Sequence, residues 1–568
     1  DRSELREVWK EQTALLDIDP KTPQRAPQTS ETSPEASAQN ALRYAVAKLS
    51  ERNSIMKEKD LLTTALSEGM GRCGLKDIEQ AYRRAREDGD IILTKKKTVV
   101  TQLHYRTEKE NITIMQRGRG SRGPLSDDSK VTAAFVSFAE RRGFSLSEGQ
   151  QNSARLILTT QDRVVGIEGY AGTGKTTMLE LVKTEAEKQG YTVKGYCPSS
   201  AAAAVLKKET GMETNTLASH LIAQKREGQP PAGGKEIWVI DEASMVSTLQ
   251  ANELLRAAEK QDARIVFLGD RKQLASVEAG KPFAQLIDNG MAYEKITEIR
   301  RQKNVQLREA VYESMDPEKI VASLKKLDIA KVPDQQKRLD RMVGDYLGLA
   351  AGDRAKTLLL TSTNDDRRAI NEAVRTGLQK EGTLTGPALE TTVLIATGLT
   401  KPELRKIESY QEGQAVRFGR RYQKLGVENG DHAAIVGVDR DNGTLSVTTA
   451  NGRLLTIDID KYRNIELFDT EKRQIQKGDT IRFTKNDKQQ NLMNGQQATV
   501  VALDPKTKKV TLDVQGSIRT VHADEIRHLD HAYATTVHSS QGLTCERVFV
   551  NMDTKKEMVL GQEAFYVG

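Results

Sequence analysis

From about residue 143 onward, short apolar runs alternate with stretches of helical periodicity. The runs fall at 164–168, 192–197, 237–240, 265–268 and 357–360. Runs this short read as strands covered on both faces. Their alternation with helices predicts a parallel, doubly wound α/β sheet. One more such run, 547–550, comes only after a long interruption. Between about 410 and 525 the pattern is polar and strand-rich, with hairpin turns such as Asp441-Asn442-Gly443.

The interruption repeats itself. Gly413-Gln414-Ala415-Val416-Arg417-Phe418 matches Gly478-Asp479-Thr480-Ile481-Arg482-Phe483 at an offset of 65 positions. Asn429-Gly430 matches Asn494-Gly495, and Ala434-Ile435-Val436 matches Thr499-Val500-Val501, at the same offset. A repeat of this size is a whole small domain. It predicts two tandem SH3-like barrels set into the α/β part, the alternative being one elongated sheet.

The first part of the chain reads differently. Residues 16–40 are rich in Pro, Ser, Thr and Gln and read as a linker behind a short helical stretch. Helical patterns at 41–57, 59–68 and 76–87 precede strands at 90–93 and 98–103, which flank Lys95-Lys96-Lys97. This order predicts a winged-helix-like module, compact over 41–116. Its lysines sit either on phosphates or on a solvated hairpin face. Arg117-Gly118-Arg119-Gly120-Ser121-Arg122-Gly123-Pro124 reads as a second linker.

Composition narrows the picture. The 568 residues leave room for roughly three or four domains. A net charge of +7 permits a nucleic-acid partner without demonstrating one. The three cysteines have neither zinc spacing nor a disulfide pattern. No apolar run reaches the roughly 18 residues of a membrane span, so no membrane insertion is expected.

The chemistry gathers at strand ends. Gly169-Tyr170-Ala171-Gly172-Thr173-Gly174-Lys175-Thr176 fits a phosphate loop between a strand and a helix. Its backbone N–H groups face phosphates, Lys175 supplies charge, and Thr176 offers a hydroxyl to Mg²⁺. Trp238-Val239-Ile240-Asp241-Glu242 ends in two carboxylates: Asp241 for Mg²⁺, Glu242 as general base on water. Gln273, in Gly269-Asp270-Arg271-Lys272-Gln273, is placed to report the terminal phosphate. Ile296–Gln302 carries an arginine, Arg300 or Arg301, placed to reach the same phosphate from the neighbouring domain; without the other motifs the two would be a surface pair. Gln150 offers an amide to an adenine edge, while Ser147 next to it fits a helix N-cap equally well. Thr535-Thr536-Val537-His538-Ser539-Ser540-Gln541, Pro198-Ser199-Ser200 and Thr216 are loops dense in hydroxyls and amides, suited to a sugar–phosphate chain.

This ordered set resembles the signature motifs of superfamily 1 helicases. Gly169–Thr176 followed by Thr177, Thr216-Leu217-Ala218-Ser219 and Arg308-Glu309-Ala310-Val311-Tyr312 are similar to the wording of the helicase part of the TraI/TrwC conjugative relaxases (superfamily 1B, RecD-like). The resemblance implies two RecA-like lobes with ATP and Mg²⁺ between them and single-stranded DNA across the top. It implies a lobe at 143–300, a second in two parts at 301–405 and 526–568, and an insertion at 406–525, after segments 1–40 and 41–142. Lys175, Glu242, Gln273 and Arg301 become the catalytic set. Gln150, Gly169, Ala171, Gly172, Thr173, Gly174, Lys175, Thr176 and Thr177 become the nucleotide cradle. Pro198, Ser199, Ser200, Thr216, Thr361, Asn364, Thr535, His538, Ser539 and Gln541 become the DNA-facing set.

The family implication is ATP-driven 5′→3′ unwinding for plasmid transfer through a type IV secretion system, in a bacterial cytoplasm or after passage into a recipient cell. Its partners would be the coupling protein of that system and relaxosome accessory proteins. The sequence holds no histidine triad, so a nicking domain is expected upstream, and the chain ends where the family continues into a further motif with an arginine. A strand-binding, secretion-signal scaffold with an idle ATPase fold is the alternative, and an RNA helicase a third.

Overall fold

A computed structural model describes residues 33–225, 235–273, 276, 278–487, 490–540, 545–553 and 565–566. The chain divides into a smaller unit, up to Ser50 with Ile55–Gln102, and a larger one, Glu51–Ser54 with Leu103 onward.

In the smaller unit, helices Pro34–Ser50, Glu58–Glu68 and Leu75–Glu87 cover a three-stranded sheet of Met56–Lys57, Thr98–Thr101 and Ile91–Leu93. Leu42, Ala45, Leu61, Ala65, Ile78 and Val99 form its core. This is the winged-helix-like order, with Lys95, Lys96 and Lys97 exposed on the hairpin tip. The first helix starts at Pro34, inside the expected linker, because Ser37, Ala38 and Ala41 bury one face of its first turns. The remainder of that linker, up to residue 32, lies outside the described residues.

The larger unit opens with helices Gln102–Arg117 and Asp128–Arg142. Ile114 and Met115 bury against Leu255 and Ile265, and Phe138 joins Leu158 in the core. The sequence reading places residues up to 142 with the N-terminal module and its linker; the apolar residues of these helices join the core of the first lobe instead. The arginine-rich segment between them is stitched down rather than loose. Arg122 pairs with Asp262, Arg119 donates to the Gly290 carbonyl, and the Gly120 N–H donates to Asp162 at 2.8 Å.

The first lobe carries six parallel strands in the order Glu213–Thr216, Thr192–Cys197, Glu236–Ile240, Arg264–Gly269, Val164–Gly169, Tyr293–Ile296. Every residue of Val164–Gly169 and Arg264–Gly269 is buried, as their apolar runs require. Parallel strands share one carboxyl edge. The chain leaves Val164–Gly169 toward one side and later returns past it to Tyr293–Ile296, making that strand's carboxyl end a topological switch point.

The second lobe is smaller. Ala534–Thr536, Thr357–Thr361 and Arg547–Asn551 run parallel, with helices Gln335–Leu347 and Asn364–Lys380 packed on them through Leu339, Val343, Ile370 and Val374. Between the first two of these strands in the sheet, the chain detours through the β insertion.

That insertion holds a six-stranded and a five-stranded antiparallel sheet, each with its own core. The repeat is visible in the pairing itself. Ala415 faces Ala434 and Val416 faces Ala433; Thr480 faces Thr499 and Ile481 faces Ala498. Both copies bulge at the same place, between Ile435 and Gly437 and between Val500 and Ala502. The region is wider than the expected 406–525. Strand Thr385–Ala396 pairs with Ile465–Lys477, and Leu529–His531 closes the second sheet. The second barrel is anchored to the lobe by Asp479, fully buried, which accepts from Arg375 Nε at 3.1 Å and Tyr533 at 2.7 Å.

Candidate nucleotide-binding site

At the switch point the chain turns from Val164–Gly169 into helix Lys175–Lys188. The turn needs φ of +76° at Gly172 and +74° at Gly174, a region open to glycine. Neighbours also press close: a Cβ on Gly172 would lie 2.4 Å from Arg301 Cβ, and one on Gly174 2.6 Å from Gln150 Nε2. Lys175 folds back so that Nζ donates to the carbonyls of Gly169 at 2.7 Å and Tyr170 at 3.4 Å. Carbonyls hold the ammonium without neutralising it, which leaves its charge for an anion. Thr176 and Thr177 occupy the first helical turn, and the Thr173 hydroxyl donates to the Tyr170 carbonyl at 2.8 Å.

The acids stand on neighbouring strand ends. Asp241 follows Glu236–Ile240, its N–H donating to Tyr196 O at 2.9 Å. Burial pushes its pKa up, while the charge of Lys175 pulls the other way. Glu242 has φ of +51°, a strained left-handed conformation for a residue with a side chain. Asp270 follows Arg264–Gly269; burial raises its pKa, and it accepts from Lys272 N at 2.9 Å and from Gln273 Nε2 at 3.2 Å. Among the described residues no three metal-ligating side chains converge. That fits magnesium, which takes one or two protein groups and completes its shell with water and phosphate oxygens. Asp241, a carboxylate destabilised by burial, and the Thr176 hydroxyl are the donors that suit it.

Arg301 sits differently from expectation. Its loop leaves the last strand of the first lobe, and the N–H groups of Arg300 and Arg301 donate to the Gly172 carbonyl at 2.9 and 3.2 Å. The backbone of Arg301 is therefore tied to the first lobe's phosphate loop, and Arg301 itself is exposed. Sequence reasoning also missed Glu168. This buried residue holds Arg271 at 2.8 and 2.9 Å and Lys295 at 3.7 Å behind the loop. An acid inside an apolar strand is the signal that marks it.

The DNA-facing set divides. Ser199 and Thr216 cap helices, accepting from Ala202 N at 3.1 Å and Ser219 N at 3.2 Å. Pro198 ends the strand before them. Ser200 lies 3.4 Å from Asn486 of the second barrel. His538 and Ser539 are exposed. Asn364 accepts from Arg367 Nε at 3.2 Å. Two expectations need correcting. Thr361 is fully buried and its hydroxyl accepts from Asn551 at 3.2 Å. Thr535 is buried and accepts from Arg482 Nη1 at 3.1 Å. Both hydroxyls serve internal contacts. Gln150 too is engaged internally: Oε1 accepts Ser147 N–H, and Nε2 donates to the phosphate loop. Gln541 lies outside the described residues.

A glycine-hinged phosphate loop, acids on adjoining strand ends and a second parallel lobe define a P-loop protein of two RecA-like lobes. The AAA domain family matches residues 145–331. The chain is 24% identical over 591 residues to the multifunctional conjugation protein TraI of Escherichia coli, covering 93% of this chain and 32% of TraI. It is 27% identical to the conjugal transfer protein TraA of Agrobacterium fabrum, covering 74% of this chain and 31% of TraA. The likeness to conjugation proteins of the TraI type thus runs through almost the whole chain, which spans about a third of the length of the curated relatives it matches. Among solved structures, Bacteroides Pif1 bound to single-stranded DNA aligns over 74% of this chain and 88% of its own, at 18% identity and a TM-score of 0.35. No described helix is long and apolar enough to cross a membrane.

Proposed function

We propose that this chain is the ATP-driven DNA helicase and strand-translocating part of a conjugation protein, moving 5′→3′ to unwind plasmid DNA for type IV secretion. The observation that supports the reading is one glycine turn at a switch point, whose Lys175 acts on the buried Asp241 and Asp270 and whose Gly172 carbonyl accepts from the Arg301 loop, with Glu242 next in sequence to Asp241. A strand-binding scaffold has no need of a general base beside a phosphate loop. The substrate and the polarity are what the motif resemblance to superfamily 1B helicases implies.

In this reading Lys175 exchanges its two carbonyl partners for phosphate oxygens, and Glu242 takes a proton from the attacking water. Gln273, held by Asp270, responds to the terminal phosphate, and Arg301 adds charge from across the glycine turn. Magnesium, held by Thr176 and Asp241, supplies electrostatic stabilisation of the phosphates when bound. Exposed His538 and Ser539, with Ser200 and the second barrel, hold the strand by its backbone, so grip is independent of sequence and falls with salt. The coupling protein and relaxosome proteins are the partners, in the bacterial cytoplasm or after transfer.

The test is strand displacement on duplexes bearing a 5′ or a 3′ single-stranded tail, with Lys175→Ala alongside. Unwinding of 5′-tailed substrates alone, abolished by the substitution while strand binding persists, is the expected result. Unwinding only from 3′ tails, or full turnover in Lys175→Ala, would overturn the reading.

A further inference from the structure

Lys95, Lys96 and Lys97, at the hairpin tip of the smaller unit, stand outside the ATP-driven motor proposed above. The turn that carries them is fixed. The Thr94 N–H donates to the Thr98 carbonyl at 2.8 Å and the Lys97 N–H to the Thr94 carbonyl at 3.1 Å, and the two threonine hydroxyls lie 2.6 Å apart. Lys97 has φ of +55°, where glycine or asparagine is the usual occupant. All three lysines are exposed, and no carboxylate among the described residues pairs with them. Adjacent like charges repel, so the fold gains no stability from placing them here.

The helix before the hairpin presents a matching face. Helices Glu58–Glu68 and Leu75–Glu87, joined through 69–74, stand in helix-turn-helix order. On the second of them Ile78, Ala81 and Tyr82 are buried. Lys76, Gln80 and Arg83, spaced i, i+4 and i+7, form the exposed ridge on the opposite side. Asp77 accepts the Gly74 N–H at 2.9 Å, Arg84 pairs with Glu35, and Arg86 lies over the Tyr82 ring. The three ridge residues have no such engagement among the described residues. Glu87 closes the ridge at its carboxyl end. Ile78 and Tyr82 share one core with Ile91 and Val99, so ridge and hairpin belong to one packed body.

This pairing of a polar, basic ridge with a basic hairpin fits duplex DNA. The B-form major groove, about 12 Å wide, admits an α-helix whose amino-terminal turns reach base edges. The deep, narrow major groove of duplex RNA does not. Single strands are gripped by stacking on exposed aromatic rings. In the described part of the smaller unit the aromatic residues are Tyr82, which is buried, and Tyr44, half-buried under Lys48. We propose that the smaller unit is a docking module for duplex DNA, with Lys76, Gln80 and Arg83 in the major groove and Lys95, Lys96 and Lys97 on the adjoining phosphates. It takes paired DNA, a form of substrate different from the single strand assigned to the motor, and it does not depend on the phosphate loop.

The test is fluorescence anisotropy of the full chain, without nucleotide, on a labelled blunt DNA duplex of about 20 base pairs, two helical turns. The matching single strand and an RNA duplex of the same sequence run alongside. Lys95→Gln, Lys96→Gln and Lys97→Gln combined are expected to weaken duplex DNA binding at least about tenfold at about 0.1 M salt, and to flatten its log–log salt dependence by about two to three units. Arg83→Ala weakens it by about three- to tenfold. Single-strand affinity moves by less than about twofold in both variants. All four side chains are exposed and outside the core, so neither variant disturbs folding. Unchanged duplex affinity in either variant overturns the proposal, leaving a solvated hairpin or helix face. Equal losses on single strand and duplex, or on RNA and DNA duplexes, overturn groove docking as well. A chain that binds no duplex at all also overturns it, while strand displacement from tailed substrates decides the helicase reading separately.

Discussion

Tyr566 donates its phenolic hydrogen to Asp270 at 2.8 Å and accepts the backbone N–H of Ala171 at 3.0 Å. One hydroxyl from the far end of the chain thus satisfies both a buried carboxylate and the phosphate loop. Burial raises the pKa of both partners, and their shared hydrogen bond keeps the phenol protonated. Tyr566→Phe leaves two buried polar groups a partner short, which costs about 1–3 kcal/mol. In a double-mutant cycle with Asp270→Asn by chemical denaturation, the two losses are expected to be non-additive by about 1 kcal/mol. Additive losses would mean the contact does not couple the two residues.

Three arginines surround one acid at the seat of the second barrel. Asp530 pairs with Arg367 and Arg473, and Arg482, facing it across the strands, turns instead to Thr535. Desolvation and the neighbouring Arg367 both lower the pKa of Arg482. Arg482→Gln therefore removes an ill-solvated charge, and stability is expected to change by no more than about 1 kcal/mol. Affinity for single-stranded DNA should fall by about three- to tenfold, as strand Ala534–Thr536, which leads into the exposed His538 and Ser539, loses a restraint. Fluorescence anisotropy with a labelled oligonucleotide checks this, and unchanged affinity would exclude a coupling role.

The joint between the barrels is acid-sensitive. Nε2 of His432 and Nε2 of His528 lie 2.8 Å apart, so one ring donates and the other accepts. Burial lowers their pKa values to about 3 and about 4, and Lys485, Arg417 and Arg527 push the same way, against Glu466 beside His528. The unfolded chain binds these protons near pH 6.5, the folded one only far lower. Stability from the neutral pair is whole above about pH 6.5 and drains as pH falls toward 4, by at most about 1.4 kcal/mol per pH unit for each ring. Thermal melts between pH 7.5 and 5 should show the decline, and His528→Gln should flatten it. Equal melting at both ends would refute the assignment.

Asp479 joins the second barrel to the lobe while bonded to Arg375, Tyr533 and the Gln476 N–H. Asp479→Ala strands a buried guanidinium and is expected to destabilise the protein by about 3–5 kcal/mol. The corresponding change in the first barrel, Gln414→Ala, touches a half-buried side chain bonded to Asp469 and to the Gln411 N–H and should cost about 1 kcal/mol. Urea titration of both variants makes the comparison.

Strands were legible wherever burial on both faces forced an unbroken apolar run, as at Ile265, Val266, Phe267 and Leu268. The repeat was legible because glycines and alternating positions fix barrel register. Side-chain direction was not. Thr361 and Thr535 have the hydroxyls of a DNA-facing loop, yet spacing cannot say that they turn inward toward Asn551 and Arg482. Gln150 fits a cap or a base reader with the same atoms, and only its neighbours decide. The arginine-rich segment 117–124 reads as a linker because its partners, Asp162 and Asp262, lie far along the chain. Strand Thr385–Ala396 was missed because it pairs with a segment some 80 residues distant.

The shared register of the two barrels makes equivalent points of the two copies natural sites of recombination. Such an event would delete or add one complete unit, and a deletion would also remove the segment of Ile465–Lys477 on which Thr385–Ala396 pairs. Their one telling difference, glutamine at 414 against aspartate at 479, decides what such an event does to the ATPase. A descendant lacking the first copy would keep its anchorage to the motor, whereas one lacking the second would shed it.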